Sequence, residues 1–548
     1  MWDSLAPIDP GTADDYRAKG WWRSETFLDD LDRAARERPD HPAIIAYETG
    51  EHVRTLTYGE LATLTARFAG ALRSLGVGRG DVVVVYLPNR WVLAPLYLAC
   101  NQVGAVVAPG FLMLSNRELR QVLVSTRARV CITLDRQGDT DFAARLADLS
   151  VPTLRHRVVI GDAAATGAVS FQELFLDTPW EERDPAPHED AVAPDDPSLI
   201  LHTSGTTGPM KGVVHTSNTM YAVTRASAAP LGLGADEVIL MPSALTHMAG
   251  ATHSIFLPIM VGATAIVHDS GGDGDFMVRM TERHSVTFVY AAPGFVIAML
   301  DAQRSLGAKT PALRQIVSGS APIAPQLVAD VRAAFGVPMR ALWGMTENGA
   351  VTVTRLDDPD DWAVHSDGSP VDWMQIRIAP EPGAEGGRLQ TRGASQCLGY
   401  LNQRETYEAQ LDDEGWFDTG DLARDDGRGG IRIVGRRVDL ITRANSLRVS
   451  TLDIEAVLLR HLQVVDVALV GYPDPTVPGA ELVCAVVVPG DDTPTLEALY
   501  EHLEQEGVAR VLWPDRLQFV RIMPKNSMAK TLRQPLRERL EIAASPRA

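Results

Sequence analysis

The sequence predicts an α/β protein: a large N-terminal region of several subdomains with mostly parallel sheets and a small β layer, then a small α+β unit at the C-terminus. Three observations carry this prediction. Runs rich in β-branched residues, such as 81–87 and 104–109, alternate with helical lengths, as in strands covered on both faces. Beyond Asp372 the segments shorten and alternate, at 374–378 and 430–434, which suits a small antiparallel layer. Residues 438–548 then hold strand, helix and turn signals of their own.

In chain order, residues 58–75 read as a helix with Leu61, Leu64, Phe68 and Leu72 on one face, ended by Gly76, Gly78 and Gly80. A strand at 81–87, an apolar helix containing Trp91 to Cys100 and a strand at 104–109 follow. The Pro- and Asp-rich stretch 180–197 reads as a surface linker. Residues 199–202 are a strand, a Gly-rich loop comes next, and a helix is expected from His215 onward. Further strands are expected at 238–242, 262–267, 286–290 and 313–318. In the last unit, strands at 465–472, 482–488 and 516–521 surround a helix at 495–506. The boundary falls near 436–439, dividing the chain into 1–437 and 438–548.

Composition limits the function. The chain has 548 residues, 45% of them hydrophobic, enough for a sizeable core. Lys plus Arg total 51 against 70 Asp plus Glu, a net charge of -19, which opposes broad nucleic-acid binding. A local phosphate site is still allowed, because a few N–H groups and one cation suffice. Cys100, Cys131, Cys397 and Cys484 are far apart with no Cys-x-x-Cys pair, and read as small buried hydrophobes. The N-terminus lacks a basic segment followed by an apolar one, and no apolar run is long enough to span a bilayer. A cytoplasmic protein is expected.

Residues 203–212 read Thr-Ser-Gly-Thr-Thr-Gly-Pro-Met-Lys-Gly directly after an apolar strand. Glycines let backbone approach a ligand, hydroxyls and consecutive N–H groups can hold an anion, and Lys211 adds a positive charge. An ordinary Ser/Thr/Gly turn explains this combination less well. It is not the Gly-x-x-x-x-Gly-Lys loop of the common NTPases. It resembles the signature loop of the adenylate-forming superfamily: acyl-CoA synthetases, luciferases and peptide-synthetase adenylation domains. Further motifs of that family recur in order over most of the chain.

The resemblance implies that Thr203, Ser204, Gly205, Thr206, Thr207, Gly208 and Lys211 hold the β- and γ-phosphates of ATP. Residues 343–347, Trp-Gly-Met-Thr-Glu, resemble the family's Tyr-Gly-x-Thr-Glu. The implied roles are Trp343 at the adenine, with Gly344 and Met345 beside it, Thr346 on the α-phosphate and Glu347 as the Mg²⁺ ligand. Gly319, Ser320 and Ala321 resemble the segment lining the adenine and acyl sites, Asp421 the acceptor of ribose hydroxyls, and Arg436 a ribose or phosphate contact. His247 matches the position at the carboxylate entrance, although a histidine heading a helix has a purely structural reading too. Lys530, in a Pro-Lys-x-x-x-Ala-Lys segment where Gly is usual before the lysine, aligns with the catalytic lysine; charge building on the carboxylate and α-phosphate suits an ammonium there.

The implied activity is ATP-dependent conversion of a carboxylic acid into acyl-AMP, with a C-terminal domain that swings about a hinge before thioester formation with CoA. Segments 247–250, 290–294 and 318–320 and the helix around Met220 would line the acyl pocket. They carry no acidic residue to hold an amino group, so a hydrophobic carboxylic acid is expected. Val438 stands where the family has Asp or Lys, and Arg443-Ala-Asn-Ser446 replaces its Arg-Gly-Gly-like segment. Two further readings therefore stay open: an enzyme that passes acyl-AMP to a carrier or partner, and a non-catalytic nucleotide-binding scaffold. A homodimer is neither indicated nor opposed.

Overall fold

The computed structural model describes residues 1–5, 8–203, 210–444, 447–449, 451–525 and 531–544. Nine strands form one sheet in the order Ser369–Pro370, Gly349–Val353, Met339–Met345, Gln315–Gly319, Phe288–Tyr290, Val238–Leu240, Thr264–His268, Pro42–Glu48 and Glu51–Thr57. Its interior pairings are parallel and its outer ones antiparallel. An eight-stranded sheet runs Gly399–Tyr400, Lys211–Thr216, Pro197–Thr203, Val106–Pro109, Val82–Tyr86, Val130–Leu134, His156–Ile160 and Val169–Ser170. Every residue of Val82–Tyr86 and of Val130–Leu134 is buried, the two-sided cover that their unbroken β-branched runs require.

Helices fill the space around these sheets. Tyr58–Ser74 buries Leu61, Leu64, Phe68 and Leu72 as their spacing demands, and starts at a capping box in which Thr57 and Glu60 satisfy each other's backbone N–H. Helix Ser217–Ala228 is buried at ten positions and packs on both large sheets, through Lys211–Thr216 and Gly349–Val353. A four-stranded antiparallel layer, Met374–Ala379, Gly387–Gly393, Phe417–Asp425 and Ile431–Arg436, follows in order. All four cysteines are buried and unpaired, and burial pushes their thiols up.

One expectation is corrected. His215 does not open a helix: Lys211–Thr216 is a strand, antiparallel to Pro197–Thr203, with Thr203 opposite Lys211. The helix starts only at Ser217, where Thr216 caps it by accepting from Thr219 N. Val213, Val214 and Thr216 are β-branched and fit a buried pleat better than a helix. The Gly-rich segment therefore lies between two paired strands rather than between a strand and a helix.

Past Arg436 the chain builds a second, smaller unit. Strands Val464–Pro473 and Glu481–Pro489 pair antiparallel, Arg516–Phe519 joins them in parallel, and Leu452–Leu458, Leu496–Gln505 and Arg533–Ala544 pack against them with separate hydrophobic clusters. At the junction, Arg437 Nη1 donates to Asp418 Oδ2 of the antiparallel layer at 3.1 Å, while the next carbonyl, Val438 O, accepts from Arg537 on the last helix at 3.3 Å. No helix among the described residues is long and apolar enough to cross a membrane.

Candidate functional site

The strand Met339–Met345 and the turn after it carry the centre of the site. Gly344 has to be glycine, because a Cβ there would run into the Gly349 carbonyl where the two strands pinch together. The turn is tied down from several sides. His215 Nε2 donates to Thr346 O at 2.8 Å, and its Nδ1 accepts from the Thr219 hydroxyl at 3.0 Å. Cys397 N donates to Glu347 O at 2.7 Å, and Asn348 Nδ2 to Thr391 Oγ1 at 2.8 Å. Burial holds His215 far below its usual range, at about 4, so this strut stays neutral.

Glu347 is buried, and its Oε1 accepts from the Tyr400 hydroxyl at 2.7 Å. Tyr400 pairs with Val213, and the Lys211 ammonium lies 4.6 Å from the centre of its ring. Burial first, and then the Glu347 charge, push the Tyr400 phenol up, so it stays a donor. The loop lysine and the turn carboxylate thus meet across one tyrosine. Among the described residues nothing bonds the second carboxylate oxygen, Oε2.

At the other end of the same segment, Trp343 Nε1 donates to Asp421 Oδ2 at 3.0 Å. Asp421 lies in register with Arg436, whose Nε is 2.9 Å from Asp421 Oδ1. That pair is close enough for charge attraction but is not aligned as a hydrogen bond, so Oδ1 keeps its acceptor capacity. Both Trp343 and Asp421 are buried, at 9% and 6% exposure.

Two further segments complete the wall. Strand Gln315–Gly319 ends in Ser320 at φ 68°, a left-handed conformation unusual for a residue with a side chain. A Cβ on Gly319 would meet the Leu342 carbonyl and come within 2.7 Å of the Tyr290 hydroxyl. His247 caps the short helix Met248–Ala251, its Nδ1 accepting from Ala249 N at 3.3 Å, which leaves the proton on Nε2. Burial lowers His247 to about 4, so at neutral pH it is an uncharged donor. His253, one turn on, lies flat over Tyr290 with ring centres 4.2 Å apart.

Of the sequence-derived residues, Lys211, Trp343, Gly344, Met345, Thr346, Glu347, Asp421 and Arg436 form one connected group. Ala321 follows Ser320 half-buried at the end of the Gln315–Gly319 strand. Ser204, Gly205, Thr206, Thr207, Gly208 and Lys530 lie outside the described residues; Thr203 ends its strand opposite Lys211. Tyr400 carries no signal in the sequence, because its partners come from two distant segments; His215 is a strut under the 343–347 turn.

A carboxylate following a strand of the nine-stranded sheet, a lysine on a strand of the eight-stranded sheet and an Asp–Arg pair on the antiparallel layer meet at one site, with a small α+β unit following, as an adenylate-forming enzyme requires. The AMP-binding enzyme family model matches residues 31–401 and its C-terminal domain model matches 453–530; the chain belongs to the AMP-binding enzyme family and is an AMP-forming ligase. It is 31% identical to the salicyl-AMP ligase / salicyl-S-ArCP synthetase of Mycobacterium tuberculosis, over 99% of this chain and 95% of that protein. It is 29% identical to the medium-chain fatty-acid–CoA ligase of Escherichia coli, over 95% and 92%. The apo structure of Mycobacterium smegmatis MbtA superposes with a TM-score of 0.71 at 30% identity, covering 98% and 99% of the two chains. The anthranilate CoA ligase AuaEII with anthranoyl-AMP superposes at 0.83 and 23% identity, covering 95% and 98%, which is a likeness of fold.

Proposed function

We propose that this ligase activates a hydrophobic carboxylic acid with ATP, releasing pyrophosphate, and transfers the acyl group from acyl-AMP to CoA. The observation that carries the reading is the span of segment 343–347, which meets Asp421 at one end and Tyr400, with Lys211 beyond it, at the other. A nucleotide laid along it would have its ribose at Asp421 and Arg436, its adenine near Trp343 and Gly319–Ala321, and its phosphates toward Thr346, Lys211 and the loop 203–208. One carboxylate oxygen of the acid attacks the α-phosphorus as the bond to pyrophosphate breaks, and Lys530 offsets the charge gathering on the oxygens. His247, a neutral donor, would orient the incoming carboxylate without competing for it as a cation.

Glu347 suits Mg²⁺: it is a buried carboxylate with Oε2 free of described partners. The ion would neutralise phosphate charge. The 247–250, 290–294 and 318–320 segments offer Met248, Ala249 and Tyr290 and no acidic side chain, which supports a hydrophobic acid. The relatives named above are assigned to a fatty acid and to salicylate. The 437/438 division is supported by the contacts of Arg437 and Val438 to opposite units, and we place the pivot of the C-terminal domain there.

A second reading, release of acyl-AMP to a carrier or partner, is favoured by two features, at Arg443 and Ala444. The Arg443 guanidinium is committed to Asp515 and to the Val511 and Trp513 carbonyls, and Ala444 adds a Cβ where the family carries glycine. Incubation with ATP, Mg²⁺, CoA and a panel of fatty, aryl and polycyclic acids, read by mass, separates the two. Acyl-CoA supports the first reading, acyl-AMP alone the second, and neither product with any acid removes both.

A further inference from the structure

We propose that Trp343 is a positioning residue for ribose recognition: its indole N–H occupies Oδ2 of the Asp421 carboxylate, so that Oδ1 is the oxygen left to accept from the nucleotide's hydroxyls. The inference rests on the nucleotide placement proposed above and assigns Trp343 a duty separate from an aromatic face for adenine. An aspartate carboxylate turns broadly about its last torsion, so burial alone does not set the direction of its free lone pairs. Here three groups set it. Trp343 Nε1 donates to Oδ2 at 3.0 Å. Asp421 N donates to the Thr419 hydroxyl at 3.1 Å, and that hydroxyl donates to Leu389 O at 2.7 Å, which holds the backbone. Arg436 Nε sits 2.9 Å from Oδ1 on the neighbouring strand, off the hydrogen-bond direction.

The result is a buried carboxylate with Oδ2 occupied and Oδ1 enclosed without a hydrogen bond, 2.9 Å from the Nε of the part-exposed Arg436 side chain, which has to give way for a ribose hydroxyl to reach it. Leaving such an acceptor unpaired is costly, and a ribose hydroxyl is the donor that the proposed placement supplies. Trp343 itself is held, since its strand pairs Trp343 with Thr352 and its ring packs in the cluster with Leu342, Tyr290 and Val353.

The test is calorimetric binding of Mg-ATP and of Mg-2′,3′-dideoxy-ATP to the full chain, wild type and Trp343→Phe, with Asp421→Ala setting the floor. Wild type is expected to bind ATP roughly tenfold or more tightly than the dideoxy nucleotide, the scale of a hydrogen bond to a charged acceptor. In Trp343→Phe the ratio should fall to within about threefold, close to Asp421→Ala, with dideoxy-ATP affinity little changed. If Phe proves too small to keep the fold, replacement of Trp343 by its benzothienyl isostere, which carries sulfur in place of the indole N–H, is read the same way. An unchanged ratio, or equal weakening of both nucleotides as expected for lost stacking alone, overturns the inference and leaves the adenylation reading standing. No ATP binding by wild type overturns both.

Discussion

At the residue scale the chemistry depends on which oxygen of each carboxylate is already taken. Glu347 gives Oε1 to Tyr400 and keeps Oε2; Asp421 gives Oδ2 to Trp343 and keeps Oδ1. Tyr400→Phe removes the donor and leaves a buried carboxylate oxygen unpaired, so pyrophosphate exchange should slow by about tenfold or more and require more Mg²⁺. A rate and Mg²⁺ dependence equal to wild type would show that Tyr400 does not hold Glu347. Trp343 and Glu347 were legible because they share five residues of sequence. Tyr400 was not, since nothing near Gly399 and Leu401 announces a partner; only the pairing of Val213 with Tyr400 brings it to Glu347.

At the scale of elements, local signals fared well where one force dominated. Helix Tyr58–Ser74 and strand Val82–Tyr86 lie within a residue of their expected limits, because apolar period and burial agree. The helix expected from His215 starts instead at Ser217, because Val213, Val214 and Thr216 are β-branched and favour a strand. The hairpin from Met339–Met345 to Gly349–Val353 depends on a contact no sequence pattern displays: Gly344 against Gly349 O. Gly344→Ala should cost about 2–4 kcal/mol of stability through forced separation of the strands. Urea unfolding measures it, and a loss below about 0.5 kcal/mol, the scale of an ordinary surface change, would mean that the strands yield freely there.

At the scale of the whole molecule, parallel-sheet architecture and the succession of units followed from the sequence, whereas the way distant edges close around one site required the fold. Burying so many polar groups has a consequence in pH. His202, His215, His253 and His268 are buried, and desolvation brings each to about 4. Unfolded, they titrate near 6.5. Between those values the unfolded chain binds more protons, so stability falls as pH drops from about 6.5 toward 4, by on the order of 1.4 kcal/mol per unit for each fully titrating histidine. Thermal melts at pH 7, 6 and 5 should show a progressive decline; a flat profile would contradict burial of these rings in solution. The central claim, attack on the α-phosphate assisted from the C-terminal unit, is tested most directly by ATP–pyrophosphate exchange without CoA in wild type and Lys530→Ala, using an acid accepted by wild type. Exchange in wild type and its loss by at least about a hundredfold in a variant of equal melting temperature is the expected result, on the scale of removing one transition-state charge partner. Near-normal exchange in Lys530→Ala would contradict the account.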